Sequence, residues 1–357
     1  MSARDAIADL RRIAFLLERA NEATYRVRAF RSAAKALAGL PGGELATRAG
    51  AGTLTELAGV GEVTARCVTE SLRGEEPVYL RRLLATEGVE LDAAATALRT
   101  ALRGDCHTHS DWSDGGSPIE EMALAAAELG HEYLVLTDHS PRLKVARGLT
   151  ADRLRRQLDH VAALNESLPP GFRVLTGIEV DILADGSLDQ SDELLARLDV
   201  VVGSVHSGLN DDSARMTRRM TTALANPLLD ILGHCTGRMV AARPAGVVGP
   251  GDRGHRGRTR PESQFDAEAV FGAAAEHDKA IEINSRPERQ DPPKRLIRLA
   301  LEAGCRFAVN TDAHAPGQLD WQRFGCDRTA RCGVRPEQVV NTWPAERLRD
   351  WARSHRR

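Results

Sequence analysis

Gly104-Asp105-Cys106-His107-Thr108-His109 marks a change of rhythm in the chain. These six residues read as a strand that ends on two histidines, with Ser113-Asp114-Gly115 close behind. An apolar helical pattern follows at 119–129, then a second strand-like run at 133–139 that ends Thr137-Asp138-His139. Strand, helix, strand at this spacing implies a parallel sheet with crossover helices. The same unit repeats outward. Strand candidates lie at 104–109, 133–139, 173–181, 200–206, 229–234, 280–284 and 306–314, with helical patterns such as 154–164 between most of them. Seven βα units predict an α/β fold, a distorted (βα)7 TIM-like barrel, with an open sheet as the alternative.

Upstream, residues 1 to about 100 read as helices only. Ile7, Leu10, Ile13, Leu16 and Leu17 recur at helical spacing, as do Phe30, Ala33, Ala34 and Leu37. Pro41-Gly42-Gly43 separates two such segments. The expected organisation is an all-helical domain at 1–90, a linker at 91–103, the barrel at 104–345 and a tail at 346–357. Residues 241–262 interrupt the barrel rhythm. They carry Pro244, Gly246, Gly249, Pro250, Gly251, Gly254 and Gly257 together with Arg243, Arg253, Arg256, Arg258 and Arg260. That composition predicts a flexible basic loop, either a tolerated insertion or an arm that touches nucleic-acid phosphates.

With 357 residues, 42% hydrophobic and 27% charged, the chain has the make-up of a soluble globular protein. A net charge of -2 gives no overall sign of a nucleic-acid binder, so any basic surface must be local. The six cysteines form no C-x-x-C pair and read as reduced thiols of a cytoplasmic protein. Neither a signal peptide nor a run of about 20 apolar residues is present, so no membrane span is expected.

The strand ends carry the chemistry. The third ends Gly177-Ile178-Glu179, the fourth Ser204-Val205-His206, the fifth Gly233-His234, and the seventh Asn310-Thr311-Asp312-Ala313-His314. Strand side chains alternate faces, so His107 and His109 point together, Asp312 and His314 point together, and Cys106 should point away. The C-terminal strand ends of a barrel converge on one mouth. Six histidines and at least three carboxylates therefore meet in a small volume. Neutral imidazoles and carboxylates are the donors that Zn²⁺, Mn²⁺ or Fe²⁺ take. Any one of these histidines alone would read as an ordinary side chain. His131, His160, His255, His277 and His355 fall outside the pattern and keep that reading.

These motifs resemble the PHP (polymerase and histidinol phosphatase) family over about residues 104–345. They are most similar to the PHP domain at the C-terminus of bacterial family X DNA polymerases, as in Thr137-Asp138-His139-Ser140-Pro141-Arg142-Leu143 and Glu282-Ile283-Asn284. The resemblance implies a phosphoesterase with three divalent metal ions (Zn²⁺, Mn²⁺ or Fe²⁺). His107, His109, Glu179 and Asp312 would hold the first. Glu179 would bridge to a second, held also by His206 and His234. Asp114, His139 and His314 would hold the third. Asp105 and Asp138 are expected to orient imidazoles. Arg142, Arg147, Arg238 and Arg289 are candidates to clamp phosphate. Cys235 departs from the proline usual after this histidine in the polymerase-linked domains.

Residues 54–68 place Gly59-Val60-Gly61 between two helices and resemble a helix-hairpin-helix, whose backbone amides meet DNA phosphate. Arg26, Arg28, Arg31 and Lys35 add a basic helical stretch, so Gly59 and Gly61 join these four as the DNA-binding candidates. Residues 5–85 are similar to the small N-terminal domain of family X polymerases. Two departures stand out: Glu62 would repel phosphate, and Cys67 replaces the Schiff-base lysine of lyase-competent members, so no lyase activity is expected. The polymerase palm is missing. The reading is a metal-dependent phosphoesterase with DNA as partner, a 3′-5′ exonuclease or 3′-phosphatase/phosphodiesterase of DNA repair. The alternatives are a small-molecule phosphatase such as a histidinol-phosphatase, and a non-catalytic DNA-binding adaptor.

Overall fold

A computed structural model describes residues 4–85, 90–240 and 259–356. The chain divides into two compact units, the second beginning at Glu90.

The first unit is a stack of helices: α1 (Ala6–Arg19), α2 (Thr24–Ala38), α3 (Glu44–Ala51), α4 (Glu62–Leu72) and α5 (Val78–Leu84). The apolar stripes expected from periodicity close on one another. Leu10, Ile13 and Leu17 of α1 meet Phe30, Ala34 and Leu37 of α2, Cys67 and Val68 of α4, and Leu80 of α5. Asp9 is buried in this unit, where it accepts from Ser71 Oγ at 2.7 Å and pairs with Arg4 at 2.8 Å.

The second unit is the barrel. Its strands are β1 (Gly104–Thr108), β2 (Tyr133–Leu136), β3 (Arg173–Asp181), β4 (Val200–Ser204), β5 (Ile231–Leu232), β6 (Ala280–Asn284) and β7 (Arg306–Asn310). They pair in sequence order, all parallel. A parallel bridge between Thr108 and Ala313 brings the last strand back to the first. Around the sheet run α6 (Ala93–Ala101), α7 (Ile119–Glu128), α8 (Ala151–Asn165), α9 (Asp192–Leu195), α10 (Ser213–Leu224), α11 (Ala267–Glu276), α12 (Lys294–Glu302), α13 (Gln322–Arg331) and α14 (Ala345–Ser354). The barrel expected from the sequence is therefore present, and the open sheet is not.

Alternation divides the barrel interior into two layers. Cys106, Tyr133, Val135, Leu175, Val200, Val202, Ile231, Ala280 and Ala308 form an apolar floor to which every strand contributes. Two or four residues further along the same strand faces stand Glu179, Glu282, Asn310 and Asp312, so the layer above the floor is polar. The floor is covered from below by Leu348, Trp351 and Ala352 of α14. The described residues of the 346–357 segment are thus no tail. Their spacing of i, i+3, i+4 is a helix's inner stripe. The 91–103 segment is likewise no simple linker. Asp92 caps α6 by accepting from Ala95 N at 2.8 Å, and Ala95 and Leu98 are buried.

Cys106 was expected to point away from His107, yet it lies in the floor. The register between β1 and β2 shifts between Asp105 and Thr108. A bulge at that point re-aims the following side chains and lets His107 turn inward as well. Of the 241–262 loop, residues 241–258 lie outside the described residues. Arg260 is described, and it exchanges two backbone hydrogen bonds of 2.9 Å with Met239 while its Nε donates to Gly237 O.

The lower seam between β1 and β7 is closed by side-chain amides. Asn341 Nδ2 donates to Val309 O at 2.7 Å and Gly104 O at 3.2 Å, and its Oδ1 accepts from Val309 N at 3.1 Å. Gln322 Nε2 donates to the same two carbonyls, Gly104 O at 3.0 Å and Val309 O at 3.1 Å. All six cysteines are free and buried. Among the described residues no helix is long and apolar enough to cross a membrane.

His131, just before β2, is 5% exposed and neither ring nitrogen has a hydrogen-bond partner. Burial, with Arg99 nearby, pushes its imidazole down to about 3. The unfolded chain takes up this proton near pH 6.5, the folded chain only near 3, so stability is full above 6.5 and lost as pH falls between them. By pH 4.5 the difference is about 2.7 kcal/mol at 1.36 kcal/mol per unit. His131→Phe is expected to flatten this acid limb. Denaturant unfolding of both proteins from pH 8 to 4.5 checks it.

Candidate metal centre

Glu179 leaves the end of β3 as the hub of the mouth. Its carboxylate lies 2.9 Å from His234 Nε2, 2.8 Å from His139 Nδ1, 3.3 Å from His107 Nε2 and 3.3 Å from His206 Nε2. Asp312 stands opposite, 3.4 Å from His109 Nε2 and 3.6 Å from His314 Nδ1. Asp114 reaches in from the loop after β1, 3.4 Å from both His139 Nε2 and His314 Nε2. The nine residues named from the sequence thus converge on one mouth. His109 stacks on His314 and His139 with ring centroids 4.2 and 4.4 Å apart.

Apart from His234 Nε2, which pairs with Glu179 Oε1 at 2.9 Å, most of the donors crowd without bonding one another. His107 Nε2, His109 Nδ1 and Nε2, His139 Nδ1, His206 Nδ1 and Nε2, His234 Nδ1 and Glu179 Oε2 are buried with no hydrogen-bond partner. Native interiors pair nearly all such atoms. His139 Nδ1 and Glu179 Oε2 are within 2.8 Å yet not aligned for a hydrogen bond. Lone pairs aimed at shared space are what cations require, so the residues fit a metal cluster. Three sets could each hold an ion: His107, His109 and Asp312; His139, Glu179 and His206; and His109, Asp114, His139 and His314. This differs from the expected partition, because His109 and His139 each stand in or between two sets.

Electrostatics follow from burial and neighbours. Burial opposes ionisation of Glu179, but His107, His206 and His139 hold its carboxyl well below the usual range. Burial, with His314 and His139 alongside, pushes His109 down to about 3 and keeps it neutral. Burial would lower His206 too, yet the Glu179 and Asp181 carboxylates raise it to about 9. Asp312 has a left-handed backbone with φ 55°, which aims its carboxylate from beyond the end of β7.

Asp105 and Asp138, expected to orient imidazoles, touch none. Asp105 accepts from Thr311 Oγ1 at 2.6 Å and His107 N at 3.0 Å, tying β7 to β1. Asp138 accepts from Ser110 N and Oγ, Ser113 Oγ and Gln157 Nε2, and so organises the loop behind His109. The residue that orients an imidazole is Glu282, which the sequence reading quoted without a role. It accepts from His107 Nδ1 at 2.6 Å and from His234 N at 2.7 Å, and is itself held by Asn310 Nδ2 at 3.0 Å. Its position two residues beyond Ala280 on an inward face was the available signal.

The arginines divide by partner. Arg147 donates to the carbonyls of Asp111 and Ser113. Arg238 donates to Arg289 O and Gln290 O and pairs with Glu262 at 3.3 Å. Both hold loop carbonyls, Arg147 through Nη2 alone while remaining exposed. Arg289 faces the mouth, 2.9 Å from Asp312. Arg286, absent from the sequence reading, lies 3.4 Å from His314 Nδ1. Arg142 borders a cavity of about 330 Å³ lined also by Leu183, Ala184, Asp185 and Ser207. Cys235 is buried near Asp291 and leaves His234 in place.

In the helical unit, Gly59 has φ 89° and sits against Ser32, while Gly61 caps the N-terminus of α4 and donates to Thr64 Oγ1 at 3.0 Å. Arg31 is turned inward onto both oxygens of Glu18 at 2.7 and 2.9 Å, and Arg26 pairs with Glu22 at 3.0 Å. Arg28 and Lys35 remain exposed, and Glu62 is exposed in the first turn of α4.

A parallel α/β barrel with imidazoles and carboxylates converging at its C-terminal mouth defines a metal-dependent hydrolase. Residues 105–286 match the PHP domain and residues 1–76 match a helix-hairpin-helix domain. The chain belongs to the PHP family of metal-dependent phosphoesterases. It is 38% identical over 240 residues to the DNA polymerase/3′-5′ exonuclease PolX of Bacillus subtilis, a match over 67% of this chain but 39% of that protein. A protein of Thermoanaerobacter named as a probable phosphatase is 29% identical, with 67% of this chain and 89% of the relative covered. The solved histidinol phosphate phosphatase of Lactococcus lactis, complexed with zinc, L-histidinol and phosphate, is 16% identical with a TM-score of 0.42, covering 65% and 94% of the two chains.

Proposed function

We propose that this phosphoesterase acts on DNA ends, removing 3′ nucleotides or 3′-blocking phosphates with up to three divalent ions (Zn²⁺, Mn²⁺ or Fe²⁺). The observation that carries the reading is one chain holding both a crowded cluster of largely unpartnered donors and a helix-hairpin-helix unit. His107, His109, Asp114, His139, Glu179, His206, His234, Asp312 and His314 would hold the ions. When bound, such ions supply Lewis acidity toward phosphate oxygens and a hydroxide at neutral pH.

The chain's own residues do the rest. Glu282 fixes the ring of His107, so that His107 Nε2 faces Glu179. Arg289 and Arg286 offer guanidiniums to a phosphate entering beside Asp312 and His314. The Gly59–Val60–Gly61 turn, Arg28 and Lys35 would meet the DNA backbone. A backbone hold of this kind weakens as salt rises.

Mn²⁺-dependent hydrolysis by wild type and His109→Ala tests the proposal. Each protein receives a 3′-recessed duplex, a 3′-phosphate duplex and histidinol phosphate. Release of nucleotide or phosphate from DNA ends, lost in the variant, supports it. Turnover of histidinol phosphate alone replaces it with a small-molecule phosphatase. A wild type that binds metal and DNA but cleaves none of the three points to an adaptor.

One activity of DNA-end enzymes is expected to be absent. Cys67 occupies the lyase position, is 1% exposed, and burial pushes its thiol up to about 11. It offers no amine for an imine. Borohydride treatment with a 5′-deoxyribose-phosphate duplex should trap no protein–DNA adduct.

A further inference from the structure

The donor sets are not equally supported. His107, His109, Glu179 and Asp312 issue from strands or their ends and are almost fully buried. Asp114 alone comes from a long loop, and its side chain is 35% exposed. Where that carboxylate stands depends on what holds residues 110–117.

Two arginines from the loop after β2 and the start of α8 grip this loop. Arg147 Nη2 donates to Asp111 O at 3.0 Å and to Ser113 O. Arg153 Nη2 donates to Trp112 O. Three consecutive carbonyls immediately before Asp114 therefore each accept a guanidinium N–H. Arg153 Nη1 also donates to Arg147 O at 2.5 Å and Gly148 O at 3.3 Å. It thereby braces Arg147, whose backbone is left-handed with φ 56°. A non-glycine residue is strained there, so the conformation needs such external support. From behind, Asp138 takes Ser110 and Ser113. The loop is pinned on both sides, and Asp114 stands at its tip.

We infer that Arg153, which touches no donor side chain, is a positioning residue that sets the affinity of the outermost ion through the Arg147–loop clamp. This rests on the reading of the cluster as a metal centre. The clamp acts on one donor of one set and leaves the other two sets alone. Loss of a residue that orients a ligand typically lowers metal affinity 10–100-fold.

The test is calorimetric titration of Mn²⁺ into metal-free wild type, Arg153→Met and Arg153→Lys, with melting of each metal-free protein by circular dichroism. In Arg153→Met the weakest Mn²⁺ step is expected to weaken by 10–100-fold while the tighter steps stay unchanged. The lysine, which cannot span two carbonyls as a fork, should recover part of the loss. Equal affinities at every step in wild type and both variants would overturn the clamp and leave the metal centre standing. So would an even weakening of all steps together with a lower metal-free melting temperature, because that marks a general structural role. Wild type that takes up no Mn²⁺ would overturn the metal centre and the clamp together. Should Arg153→Met fail to fold, the lysine variant carries the same comparison.

Discussion

Glu179→Gln is expected to abolish Mn²⁺-dependent phosphate-ester hydrolysis while leaving the barrel folded. The side chain lies within 2.8–3.6 Å of five imidazoles, those of His107, His109, His139, His206 and His234. Glutamine keeps its shape and removes its charge. The neutral oxygen is a poor donor to a cation, and the amide nitrogen turns a proton toward rings that present lone pairs. Lewis-acid stabilisation is worth several kcal/mol of transition-state charge. At 1.36 kcal/mol per factor of ten, a loss of about 4 kcal/mol lowers the rate roughly 1,000-fold. Bound metal measured after dialysis should fall in the same variant, and the far-ultraviolet circular dichroism should not. Retention of both metal and rate would show that the cluster does not turn on this carboxylate.

The second large effect concerns stability. Asn341→Ala should destabilise the barrel by about 3–5 kcal/mol. The amide is fully buried and serves three backbone groups of β1 and β7. Alanine leaves these groups facing a void, and each unsatisfied buried group costs about 1–3 kcal/mol. Gln322 still donates to both carbonyls, which keeps the total near the lower half of the sum. Val309 N has no such substitute. For a unit of this size the melting temperature should drop by roughly 10 °C, at about 2–4 °C per kcal/mol. Asn341→Asp should be worse still, since a carboxylate cannot donate to Gly104 O or Val309 O.

The strand ends were legible because the chemistry and the fold share a period. A barrel strand that must bury apolar residues below and present donors above writes both in alternate positions, as in Leu175 and Glu179. The docking of α6 and the helix α14 are hard to read because they bury only two and three side chains. Asp92 before Ala93, and the stripe of Leu348, Trp351 and Ala352, were the marks to read. The arginines were legible as cations but not by partner. A guanidinium serves a backbone carbonyl or a phosphate equally well, and only the fold shows that Arg147 and Arg238 face carbonyls. Glu282 sits 175 residues from His107 in the chain, and nothing local to either announces the contact. The seam amides Asn341 and Gln322 are hidden for the same reason.

The burial of every cysteine equips the molecule with internal clocks. Cys67 is the sole thiol of the helical unit, and Cys106, Cys235, Cys305, Cys326 and Cys332 all belong to the barrel. An alkylating reagent reaches a thiol only when its surroundings open, so adduct formation counts opening events. Burial also keeps these thiols protonated, with Cys305 and Cys326 pushed up to about 12, so the closed state is chemically silent. One adduct on the peptide bearing Cys67 times the helices, and five sites elsewhere time the barrel. The two parts of the chain can be followed separately in one tube, with no engineered label.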